Sequence, residues 1–134
     1  MSGLYDQARQ DFLEGDLEWL AQDFRVILID VDDYAVNLAV DNFLDDIPAA
    51  ARVAISSALA GKSSTDGVAD ANDVTLSAVS GDECEALVIY QHTGVDATAQ
   101  LIAYIDVATG FPITPNGGDI DIAWDSGANR IFKL

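Results

Sequence analysis

The sequence predicts a mainly β fold: an antiparallel β-sandwich or small barrel of about seven short strands, preceded by one N-terminal amphipathic helix. Three observations lead there. From Arg52 onward, apolar residues recur with a period of two between clusters of turn-forming residues. The acids are 19 Asp against 4 Glu, and Asp favours turns and loops whereas Glu favours helix interiors. No strand–helix–strand rhythm of about 30 residues appears, which argues against a Rossmann-like layout. With 134 residues, half of them apolar, the chain reads as a single domain with its own core. Residues 1–22 read as a helical arm and 24–134 as the sandwich.

The elements follow in order. Residues 3–14 read as a helix that Ser2 can cap, with Leu4, Ala8 and Phe12 recurring every four residues and Tyr5 and Leu13 widening the stripe. Gly15 is a natural stop, and Asp16 starts a short turn through Leu17, Trp19 and Leu20. Arg25–Val31 is the strongest strand, apolar enough to be covered on both faces. Asp32–Ala51 reads as a packed connection with a short helical turn. Strands are then expected at 52–59, 73–79, 85–91, 100–107, 119–124 and 130–134. Gly61-Lys62, Ser80-Gly81-Asp82, Asn116-Gly117-Gly118 and Ser126–Asn129 punctuate them, and Ser64-Thr65-Asp66-Gly67 is turn chemistry as well. Along 119–124, Ile120, Ile122 and Trp124 are expected to face in.

Charge narrows the partners. Twenty-three acids against six bases give a net charge of −17, which repels phosphate backbones and anionic membranes. No nucleic-acid or membrane partner is expected, and no apolar run approaches the length of a membrane span. Residues 1–23 carry acids where a secretory leader would be basic and then apolar, so no leader is expected there. Cys84 is the only cysteine, leaving no internal disulfide or cysteine zinc site. His92 is the only histidine and leaves little for general-base chemistry.

Catalytic patterns are incomplete. Gly61-Lys62-Ser63 resembles the end of a phosphate-binding loop, but Ser56 stands where that loop needs glycine, and turn residues follow where it needs a helix. No serine sits in a nucleophile elbow near His92. The neighbours Asp45 and Asp46 cannot flank a sugar cleft as paired glycosidase carboxylates do. Asp66, Asp70 and Asp73 form the most loop-like acidic group and are the weak calcium candidate; otherwise no metal or cofactor is expected. Cys84, between Glu83 and Glu85, is expected to be a packed thiol of raised pKa. The aromatic residues Tyr5, Phe12, Trp19 and Phe132 lie towards the two ends of the chain, where they can anchor an intermolecular contact.

Five segments carry a resemblance that spans essentially the whole chain: Gly15-Asp16-Leu17-Glu18-Trp19-Leu20, Asn42-Phe43-Leu44-Asp45-Asp46-Ile47-Pro48-Ala49, Glu85-Ala86-Leu87-Val88-Ile89-Tyr90, Pro115-Asn116-Gly117-Gly118-Asp119-Ile120 and Trp124-Asp125-Ser126-Gly127-Ala128-Asn129. Through them the chain resembles a family of small structural proteins encoded in the head and tail assembly regions of tailed bacteriophages. The resemblance implies a virion component. Small size and strong acidity then favour a capsid decoration (cement) protein, a homo-oligomer with a trimer favoured, bound to the major capsid protein on the outside of the head. In that reading Leu4, Tyr5, Phe12 and Trp19 form a clamp, with Phe132 at the other terminus. Arg9, Arg25, Arg52 and Arg130 are the candidate pairing cations. The alternative is a neck, head–tail joining or tail-associated component, built by strand addition. A third reading is a carbohydrate- or host-surface-binding module with Trp19, Tyr90 and Trp124 as a stacking platform.

Overall fold

A computed structural model describes residues 3–128 and 130–134. The Ser2 cap therefore lies outside the described residues, as does Asn129 of the last turn. Ten strands and one helix follow in order: β1 Gly3–Leu4, α1 Asp6–Glu14, β2 Phe24–Ile29, β3 Arg52–Ile55, β4 Ser63–Thr65, β5 Val68–Asp70, β6 Val74–Leu76, β7 Ala86–Gln91, β8 Leu101–Ile105, β9 Ile120–Ile122 and β10 Phe132–Lys133. The seven expected strands are β2, β3 and β6 to β10, and three short ones, β1, β4 and β5, join them. The class is mainly β and antiparallel. No sheet closes into a barrel among the described residues: the sheets are β1-β8-β7-β2-β3, β10-β5-β4 and β6-β9.

The large sheet is buried on both faces. Its register places Phe24, Val26 and Leu28 beside Leu87, Ile89, Ala103 and Ile105 on one face. Ile27 and Ile29 lie beside Ala86, Val88 and Tyr104 on the other. Trp19 covers the first face, its ring 4.9 Å from that of Phe24. The connection between β2 and β3 covers the second: the Tyr34 ring meets Tyr104 at 6.4 Å, and Leu38 Cδ1 lies 3.1 Å from where a Cβ on Gly3 would stand. Double coverage is why β2 reads as an apolar run from Val26 to Ile29 and not as an alternation.

Turn chemistry accounts for part of the excess of Asp. Asp46 Oδ2 accepts the N–H groups of Asn42 and Phe43, Asp119 Oδ1 accepts that of Ala78, and Asp73 Oδ1 that of Trp124. Asp30, Asp41 and Asp125 bind the N–H groups of Asp32, Asn37 and Gly127 in the same way. These carboxylates replace missing ladder partners in loops. The β4–β5 hairpin turns on Asp66-Gly67, both at positive φ (52° and 81°), as an Asp-Gly pair favours.

Two expectations are corrected. The helix begins at Asp6, because Gly3 and Leu4 pair with Tyr104 and Ala103 as an edge strand. Residues 3–22 are thus built into the fold instead of standing off as an arm. Strand β3 stops at Ile55, where the Ser56 hydroxyl takes the Val26 N–H at 2.9 Å and ends the regular ladder.

Candidate functional site

The clamp residues are mostly interior. Leu4 and Tyr5 are buried, and the Tyr5 hydroxyl meets that of Tyr34 at 2.9 Å. Tyr34 in turn donates to Asp41 Oδ2 at 2.7 Å. Trp19 is buried, with its indole N–H shared between the carbonyls of Ser63 (3.1 Å) and Asp70 (3.2 Å). Phe132 lies edge-on to Trp19 at 5.3 Å and touches Phe12 at 5.9 Å. The structure therefore gathers Phe12, Trp19 and Phe132 into one aromatic lock that holds β10 to the N-terminal segment. Leu4, Tyr5 and Trp19 are withdrawn as surface anchors, because their apolar surface is already spent inside. The stacking platform fails for the same reason: Trp19 and Tyr90 are buried, and only Trp124 of the three is half-exposed.

The cations divide by use. Arg25 makes two hydrogen bonds to Asp23, whose carboxyl is held below its usual pKa by them. Lys62, the lysine of the phosphate-loop look-alike, turns inward over the Phe24 and Trp19 rings and donates to the Gln22 carbonyl. Ser63, which follows it, opens a strand and not a helix. Arg52 donates to the carbonyls of Leu44 (2.8 Å) and Ile47 (2.6 Å) and to Asp96 (2.8 Å). Arg25 and Arg52 are withdrawn as partner-pairing cations on these grounds. Arg9, Arg130 and Lys133 stay exposed.

The Arg52 contacts are unequal. Its own side chain is 16% exposed and that of Asp96 56%, so the ion pair is weak and the buried carbonyls do most of the holding. Arg52→Lys is expected to cost about 2 kcal/mol, since one ammonium cannot replace a planar fork across several acceptors. Asp96→Asn is expected to cost under about 0.5 kcal/mol. Urea denaturation of both variants checks the order; equal losses would reverse the assignment.

The weak calcium candidate does not gather into a site. Asp66 sits at a hairpin tip, Asp70 ends the strand, and Asp73 is tied to Trp124, so the three carboxylates do not converge. Two other trios do come within 4.8 Å: Asp11 with Glu14 and Asp16, and Asp30 with Asp33 and Asp82. Cys84 is buried near the second, and its thiol is pushed up to about 11, by burial first and then by Glu85 and Asp30. His92 is half-buried, with Nδ1 3.2 Å from the Tyr90 hydroxyl.

Among the described residues, two surface cavities stand out. One, of about 580 Å³, has Arg130 and Lys133 set against Asp66 and Asp70, so its charges balance. The other, of about 880 Å³, is a groove between the end of β8 and β9, with Ile105, Val107, Ile122, Trp124 and Ile131 among its walls. Sequence reasoning missed it; a Trp at the end of a short alternating strand, expected inside but lacking enough strand to bury it, was the one available signal. No helix among the described residues is long and apolar enough to cross a membrane. No family model matches the chain, and no curated protein matches it.

Proposed function

We propose that this chain is a non-enzymatic structural protein of a tailed-phage virion, a capsid decoration protein that binds and stabilises the outer face of the head. One observation carries the reading. Three of the five segments behind the phage resemblance supply core: Leu17 and Trp19, Leu44 and Ile47, and Ala86–Tyr90 are all buried. They serve a packed body whose charged groups are mostly acids, at a net charge of −17. Such a charge favours a cationic protein partner and keeps clear of packaged DNA.

The neck or tail-associated alternative has its own support. Strand β3 lies at the open edge of the large sheet, with Ile55 exposed, and an open edge is the means of strand addition. Immunogold electron microscopy of a phage encoding this chain separates the two. Gold spread over the head is the expected result. Gold confined to the neck or tail favours the alternative, and unlabelled particles overturn both.

A further inference from the structure

We propose that the groove between β8 and β9 is a docking slot for an extended segment of a partner protein, apolar at alternate residues and carrying lysine or arginine between them. This goes beyond the virion reading and does not depend on it.

The slot has the parts that strand addition needs. The Trp124 N–H reaches back towards β6, to Asp73 Oδ1. By the two-residue alternation of a strand, the N–H and C=O of Asp121 and Ala123 point the opposite way. Both residues line the groove, and their backbone groups have no partner among the described residues. Beneath this open edge lie the apolar side chains of Ile105, Ile122 and Ile131. The consecutive wall residues Asp121–Asp125 span about 16 Å of extended chain, room for about five peptide residues.

Charge selects the occupant. Asp121 and Asp125 stand at the slot against Arg130 alone, on a body of net charge −17. A basic segment is drawn in, while nucleic acid and anionic lipid are repelled. A second copy is disfavoured by the same repulsion. The one stretch of this chain with two closely spaced bases, Arg130–Leu134, is already paired with β5 through β10.

The test is an NMR titration of the full chain with a synthetic heptapeptide of alternating valine and lysine. Shifts confined to residues 105–109 and 121–125 are expected, including the Trp124 indole. The same peptide with glutamate for lysine is expected not to bind, and a form N-methylated at alternate nitrogens is expected to lose at least tenfold in affinity. Val107 is 79% exposed, so Val107→Lys leaves the fold intact, and it is expected to weaken binding at least tenfold. Three results would overturn the proposal: shifts scattered over the whole acidic surface, equal binding of the methylated peptide, or silence at 121–125. Concentration-dependent shifts there without peptide would replace it with self-association.

Discussion

Raised through pH 10, the protein is expected to show no phenolate absorbance until it unfolds, and then to show all of it in one cooperative step. The chain has four tyrosines, and all are interior: Tyr5 is 0% exposed, Tyr34 5%, Tyr90 1% and Tyr104 4%. Burial is the leading cause that pushes each phenol above its ordinary value near 10. Tyr34 is held further by its neighbours. Its proton lies between its own oxygen and Asp41 Oδ2, 2.7 Å away, so ionisation would set two negative oxygens in contact. A group whose folded pKa is raised contributes stability that is intact below the unfolded pKa and is lost as pH rises towards the folded one. Each tyrosine that ionises only on unfolding removes about 1.4 kcal/mol per pH unit, so the four together remove at most about 5. Against a total of about 5–15 kcal/mol, unfolding is expected one to three units above pH 10. Cys84, raised to about 11, adds to the loss from lower pH. Absorbance that climbs smoothly near pH 10 while the circular dichroism stays native would refute this. Tyr34→Phe is expected to make the fall shallower by about 1.4 kcal/mol per unit.

Local patterns announced seven of the ten strands, because alternation and turn residues act within a few positions of one another. Asp66-Gly67 marked a turn, though neither strand beside it was expected, and the preference of Asp for loops became the carboxylate-to-backbone bonds at Asp46, Asp73 and Asp119. What was hidden depends on distant partners. Leu4, Ala8 and Phe12 satisfy a helical stripe, yet Leu4 belongs to a strand because Ala103 lies opposite it, 99 positions along the chain. Arg52 looked like a free cation because its acceptors are backbone carbonyls, which every residue possesses. The β8–β9 groove arises from the relative placement of two sheets, and its apolar residues have nothing in their spacing to separate them from core.

A chain beginning at Gly15 is expected to be unfolded. The sequence invited the opposite outcome, an arm that detaches and leaves a folded sandwich, since Gly15 breaks the helix in the left-handed conformation. The structure places the boundary differently. Tyr5 donates its N–H to the Ile102 carbonyl at 3.0 Å, and Asp6 donates to that of Leu38 at 2.8 Å, so this segment joins β8 to the connection that covers the sheet. Removing it strips Leu4 and Tyr5 from the interior, at about 3 kcal/mol each. It also leaves the Ile102 and Leu38 carbonyls without these partners, at about 1–3 kcal/mol each, and takes Phe12 away from Phe132. The total, about 8–12 kcal/mol, is as large as the stability of a whole domain. Tyr5→Phe sets the scale: Tyr34 keeps Asp41 as its acceptor, so that change is expected to cost only about 1 kcal/mol. Circular dichroism and a thermal melt of the truncated chain decide the matter. A cooperative melt would return residues 1–14 to the role of a detachable clamp; its absence makes them the closing edge of the sheet, unable to leave it in order to grip a partner.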